Sequence, residues 1–338
     1  DLTIGGGLDD AGAASGITGR FANDGKPDGF ATDTSNTVYR AGVELQTGRN
    51  FNTAGGDIFI AARGGGSAGD RYGMFSAQGV TDAGTGKISI WAALRSGTSG
   101  DYNYAWFAAY DTTNVWNYVQ GGTDQWISSA SNSDAISINA NSSNGSGQFN
   151  SALNAELPAA SSGYAPGLRI VSLGAGGQVK IRATGGTNNA VRNDGMGAPI
   201  HLQHAEILSR DGQITLESTI SATAPSHAGI SLADTAGENG DATWNSSDRV
   251  YLGASAVSNS PITTSSAQIV LRSNSIDFSD GVSEVRKVVV STSGTLTLEP
   301  MTTSFRSELT TRGLDPRVGN LVVGKAGNTA TITVHASH

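Results

Sequence analysis

The chain has 338 residues, with 46 glycines, no cysteine, a charged share of 15% and a net charge of −8. Few charges beside a 37% hydrophobic share exclude a disordered chain, and the absence of cysteine excludes a disulfide scaffold. The acidic balance argues against a nucleic-acid partner, whose phosphates demand a basic surface, and no apolar run reaches the ~18 residues that span a bilayer.

In chain order, residues 1–40 read as an irregular opening region, glycine-rich and without alternation. Because the sequence starts at Asp1 with neither a basic n-region nor an apolar h-region, it is expected to be a processed or excised product. From there one pattern recurs: a glycine or turn residue followed by apolar–polar–apolar alternation. It runs through Gly56–Ala61 (GDIFIA), Gly86–Ile90 (GKISI), Asp134–Ile138 (DAISI), Gly177–Ile181 (GQVKI) and Gly212–Leu216 (GQITL). It continues in Ala267–Leu271 (AQIVL), Gly294–Leu298 (GTLTL) and Gly319–Val323 (GNLVV). Alternation with a period of two marks strands with one buried face. A second strand type precedes several of these, in Gly42–Leu45, Gly167–Ile170, Ala198–Leu202 and Ala228–Leu232.

The clearest whole unit is 198–219, which reads as strand, corner, strand around Ile207 and Leu208, turn, strand. Such a unit buries too little to fold alone, so the units must stack with their aliphatic side chains inside. The expected fold is all-β: a single-stranded right-handed parallel β-helix over 1–338, with loop insertions. Since the anchors are unevenly spaced, some gaps are expected to hold two rungs. The rod then has about a dozen rungs and a length of ~55–65 Å.

Residues 200–216, with the form I-x-L-x-x-x-x-I-x-x-x-D-G-x-I-T-L, resemble rungs of filamentous-haemagglutinin-like bacterial exoproteins. The stretch Gly319–Val334 is similar to a segment of large β-repeat surface proteins of the same broad kind. The resemblance implies a β-helical shaft of an adhesin exported by two-partner secretion, secreted or held at the bacterial cell surface. Its partners would be a host-cell, glycan or matrix surface, or neighbouring copies of the same protein. The Asn-Pro motifs of that family's secretion domain are missing, so the resemblance implies a piece of the shaft or a more distal region.

Residues 97–130 break the pattern. Tyr102, Tyr104, Trp106, Tyr110, Trp116, Tyr118 and Trp126 crowd into this stretch and are the candidate ligand-binding residues. Aromatic faces stack on sugars or fill partner pockets, and they also pack a wide rung or an inserted loop. No chemistry beyond binding is legible. Asp9, Asp10, Asp70, Asp82, Asp101, Asp111 and Asp124 supply carboxylates, but nothing pairs two of them as glycoside hydrolysis requires. Gly64–Asp70 and Gly237–Asp241 echo a calcium-binding nonapeptide without tandem repetition, and His201 and His204 read as surface or corner residues. The expectation is a non-enzymatic adhesin segment with no cofactor and no metal. A polysaccharide lyase, hydrolase or tailspike-like enzyme and a self-assembling extracellular fibre subunit are the alternatives.

Overall fold

The computed structural model describes residues 1–6, 29–33, 41–46, 48–67, 69, 71–108, 123–131, 134–155, 167–186, 197–203, 205–220, 229–232, 250–257, 259–278 and 288–335. Among them there is no helix, and every pair of named strands is parallel.

The strands come in threes. After β1 (Leu2–Ile4) and β2 (Ala31–Thr32), the first turn is β3 (Ala41–Leu45), β4 (Arg49–Asn52) and β5 (Ile58–Gly64). The second is β6 (Tyr72–Ser76), β7 (Gly79–Asp82) and β8 (Ile88–Leu94), and the third is β9 (Tyr104–Ala108), β10 (Asp124–Ser128) and β11 (Ile136–Asn141). Next come β12 (Leu153–Ala155), β13 (Leu168–Ser172) and β14 (Val179–Thr184), then β15 (Ile200–Leu202), β16 (Ala205–Ser209) and β17 (Ile214–Thr219). The sixth turn is β18 (Ile230–Ser231), β19 (Val250–Gly253) and β20 (Ile269–Arg272). The seventh consists of β21 (Ile276–Asp277) and one long strand, β22 (Val288–Glu299), and the coil finishes with β23 (Leu309–Thr310), β24 (Leu314–Val323) and β25 (Ile332–Thr333).

Each turn places one strand on each of three faces, which is the parallel β-helix read from the sequence. The first face is the seven-stranded sheet β3-β6-β9-β12-β15-β18-β21. The second face runs from β4 to β19 and the third from β1 to β20, and β22 joins the two into one sheet. The eight anchors of the sequence pattern form one continuous column: Ile58, Ile88, Ile136, Val179, Ile214, Ile269, Leu296 and Leu321 are successive register partners. The parallel column Ile60, Ile90, Ile138, Ile181, Leu216, Leu271 and Leu298 is fully buried. Burying one such side chain is worth about 1.5–3 kcal/mol, so stacked columns hold a coil whose single strands are far too short to stand alone.

The glycine that opens the anchor has a steric cause. Corners of consecutive turns approach so closely that a Cβ on Gly86 would lie 2.2 Å from the Gly56 carbonyl oxygen, and one on Gly212 2.1 Å from that of Gly177. Hydroxyls line the same corner. Ser128, Ser172 and Ser209 are register partners or aligned with them, and each donates to a glycine carbonyl, at 2.7, 2.9 and 3.1 Å.

The expected dozen rungs is corrected. The anchors pair directly with one another, so the wide gaps hold no second rung. They hold long connections, chiefly from the first face to the second: 109–123, 156–167, 232–249 and 278–287. In the first, second and fifth turns that same corner is crossed by 46–48, 77–78 and 203–204 alone. The nine strands stacked along the third face give a length of about 40 Å at ~4.8 Å per turn. Part of the opening region also belongs to the coil, since Leu2, Thr3 and Ile4 pair with Ile58, Phe59 and Ile60.

Candidate functional site

The aromatic stretch divides between the inner and outer sides of its strands, and strict alternation is broken, since Tyr104 and Trp106 stand two residues apart on opposite sides. In β9, Trp106 points inward between Met74 and Leu153, while Tyr104 and Phe107 belong to the outer side. Trp126 in β10 also points inward, and both indoles are fully buried. They meet edge-on, with ring centroids 5.5 Å apart.

These indoles close over a buried polar group. Arg49 pairs with Asp124, donates to Thr81 Oγ1 at 3.0 Å and lies 5.0 Å over the Trp126 ring. Ser76 Oγ donates to the second Asp124 oxygen at 2.6 Å, and Trp106 Nε1 donates to Ser76 Oγ at 2.7 Å. Burial pushes the Asp124 carboxyl up from its ordinary value, against the opposing pull of Arg49 and of the hydrogen bonds. This constellation is sealed inside the coil. Its chemistry is that of a satisfied internal ion pair.

The outer side of the first face is different. Tyr72 and Tyr104 are register partners with rings nearly parallel, 5.9 Å apart, and Phe75 and Phe107 pack beside them. At the edge of this apolar patch, where the third face turns into the first, Tyr102 stacks on Phe149 at 5.1 Å. Both rings are half-buried. The reason they meet is register: β9 and β12 are offset so that Tyr102 and Phe149 occupy equivalent places on consecutive turns, about one strand spacing apart.

The backbone there is tightly fixed. Thr98 bridges Gly145, and the Tyr102 N–H donates to the Gln148 carbonyl at 3.1 Å. Asn150 Oδ1 accepts the Asn103 N–H at 2.7 Å, and both buried asparagines send their amides to the Gly100 carbonyl. Asp101 and Gln148 are exposed at the rim, where Asp101 Oδ1 accepts the Gln148 N–H at 2.6 Å. Tyr102 and Phe149 have φ of 58° and 57°, the left-handed region, which costs a bulky residue about 1–2 kcal/mol.

Of the expected ligand-binding residues, Trp106 and Trp126 therefore turn their rings into the core and Tyr104 is buried in the outer cluster. Tyr102 alone among those described reaches the surface, while Tyr110, Trp116 and Tyr118 lie outside the described residues. Phe149 is the partner that the sequence reading passed over. Its signal is a repeated corner, Gly100-Asp101-Tyr102-Asn103 against Gly147-Gln148-Phe149-Asn150.

The carboxylates do not converge among the described residues. Asp124 is internal, Asp82 accepts the Gly84 N–H at 2.7 Å, and Asp101 sits at the rim. Asp9, Asp10, Asp70 and Asp111 lie outside the described residues, as do residues 237–241 and His204. His201 corrects the expectation of a surface role. It is fully buried, with Nδ1 2.7 Å from Asn154 Oδ1. Among the described residues no cluster of three or more His, Asp or Glu side chains is placed to hold a metal ion, and no helix is long and apolar enough to cross a membrane. No family model, curated protein or solved structure matches the chain.

Proposed function

We propose that this chain is a rigid, non-enzymatic β-helical segment of a secreted or surface-displayed bacterial adhesin. It attaches to a host-cell, glycan or matrix surface through groups carried on the first face and on the connections that leave it. The observation that carries this reading is the placement of the long connections. Strand pairs with strand along the faces from the first turn to the last, while 109–123, 156–167, 232–249 and 278–287 all cross one corner. A rod that gathers four long connections at one corner, 232–249 the longest within the seven turns, while 185–199 and 254–268 leave from the other two, offers that corner as its richest place for a partner, as rigid scaffolds do for binding segments. Those connections hold Tyr110, Trp116, Tyr118, Tyr164 and Trp244, and the aromatic outer cluster borders the first of them. The resemblance of 200–216 to exoprotein rungs points the same way.

The test is adhesion of microspheres coated with the chain to cultured cells and to a glycan array. Replacing 109–123 by the two residues that cross this corner in the second turn, Ala77 and Gln78, should reduce adhesion at least several-fold and leave the thermal unfolding midpoint within a few degrees. No adhesion by the unaltered chain, or release of new sugar ends from a polysaccharide, would overturn the reading in favour of a structural subunit or an enzyme.

A further inference from the structure

The corner holding Tyr102 and Phe149 combines left-handed backbone with two bulky rings that pack on each other and, through Tyr102, on the outer cluster. Among the described residues, the other non-glycine positions with positive φ are Ala54 and Asn259. Alanine is small, and asparagine tolerates this conformation through local hydrogen bonds. Glycine or asparagine at 102 and 149 would relieve the same turn, and yet two of the bulkiest side chains stand there. Left-handed residues of this kind concentrate where a ligand is clamped.

The surroundings define what such a clamp would take. The two rings form a stacked, half-buried shelf one strand spacing high, held by the Thr98–Gly145 bridge and the Asn103–Asn150 hydrogen bond. The ring surface that the stacked pair leaves exposed is apolar carbon, of the kind that meets the C–H surface of a sugar ring. Asp101 and Gln148, both exposed, flank it with a carboxylate and an amide, groups that bond hydroxyls from either side of the donor–acceptor divide. A carboxylate at the rim of a chain with net charge −8 disfavours sulfated or sialylated partners.

We propose that the Tyr102–Phe149 shelf, with Asp101 and Gln148 at its rim, binds a neutral pyranose unit of a glycan. This deepens the adhesive reading by naming its ligand class and one of its contact points.

The experiment is titration of the whole chain, by calorimetry and by saturation-transfer NMR, with neutral gluco-, galacto- and manno-oligosaccharides alongside sulfated and sialylated ones. Neutral sugars should bind, and Tyr102→Phe should change affinity by less than about twofold, since stacking needs the ring and not the hydroxyl. Tyr102→Asn and Phe149→Asn should each weaken binding about tenfold while keeping or raising the unfolding midpoint, because they relieve the left-handed strain. A structural role for the rings alone predicts the reverse, lower midpoints and unchanged binding. The proposal falls if both asparagine variants bind as the parent does, if only the charged sugars bind, or if no sugar on the panel binds. Coated microspheres separate the two readings. Adhesion that survives in the asparagine variants removes the shelf and leaves the adhesin, whereas parent microspheres that never adhere remove the adhesin itself.

Discussion

The upper and lower turns of the coil fill the same interior with different chemistry. Along one inward column of the second face, Arg49, Gly79, Asp124, Leu168 and Ala205 are successive register partners. In the first three turns that column carries an ion pair, and from the fourth turn it carries aliphatic groups. Gly79 makes the upper arrangement possible. Its missing side chain leaves the room through which Arg49 runs to reach Asp124 two turns away, and a Cβ there would lie 2.4 Å from Arg49 Cγ. Below, Ile170, Ile207, Leu252 and Val290 continue the neighbouring column from Trp126 with no polar atom to satisfy. The same backbone geometry thus tolerates either solution. What distinguishes the regions is how each responds to a lost side chain.

The largest effect is expected at Asp124. Asp124→Ala leaves the Arg49 guanidinium buried beside Trp126 without its counter-charge, and should cost about 3–5 kcal/mol in urea unfolding. The double variant Arg49→Met with Asp124→Leu removes both charges and copies the aliphatic column below. It should recover most of that loss, because a buried pair is worth little against well-packed apolar groups of similar volume. Should the double variant be as unstable as the single one, the upper turns need the ion pair for their shape, and the equivalence of the two solutions fails.

Ile181→Ala probes the aliphatic columns beyond the ion pair. Ile181 is fully buried between Ile138 and Leu216, so the loss is transfer free energy plus a cavity, about 2–4 kcal/mol by the same measurement. No second substitution of a charged partner can rescue it. A cost below about 1 kcal/mol would mean that the turns close over the gap, contrary to a close-packed ladder.

These two regions also differ in how much of them the sequence discloses. The aliphatic column is legible because a glycine or turn residue is followed by two aliphatic residues two positions apart, and all eight copies fall on one line of register partners. The number of turns is not legible, since a gap between anchors has the same length whether it holds a rung or a connection. Arg49 and Asp124 lie 75 residues apart with nothing local to join them, and only the coil brings them together. Tyr102 and Phe149 are hidden for a related reason. Their separation follows the offset of Trp106 to Leu153, whereas the turn before it, from Met74 to Trp106, has a shorter one. A search at a fixed period therefore passes over the pair, although the two corners share their glycine, aromatic and asparagine positions.

The smallest effect is expected outside the coil, where the ion-pair chemistry of the upper turns is repeated in water. Arg182, Glu217, Arg272 and Glu299 are register partners on the outer side of the third face, alternating in sign down the rod. Glu217 Oε2 is 3.0 Å from Arg272 Nη1, and Glu299 bonds Arg272 Nε. Burial works to lower the Arg272 pKa, and the two glutamates more than offset it, leaving the guanidinium above its ordinary value. With 37% of the Arg272 side chain exposed, solvent and salt screen most of that attraction. Arg272→Ala should therefore cost no more than about 1 kcal/mol, shrinking further in 0.5 M salt. The contrast with Asp124 lies in dielectric and not in the count of contacts, since Arg272 touches two carboxylates and Arg49 one. A loss at Arg272 that equals the loss at Asp124, or that persists at high salt, would show the outer ladder bearing on the stack itself and would erase the distinction between a paired charge in the core and one at the surface.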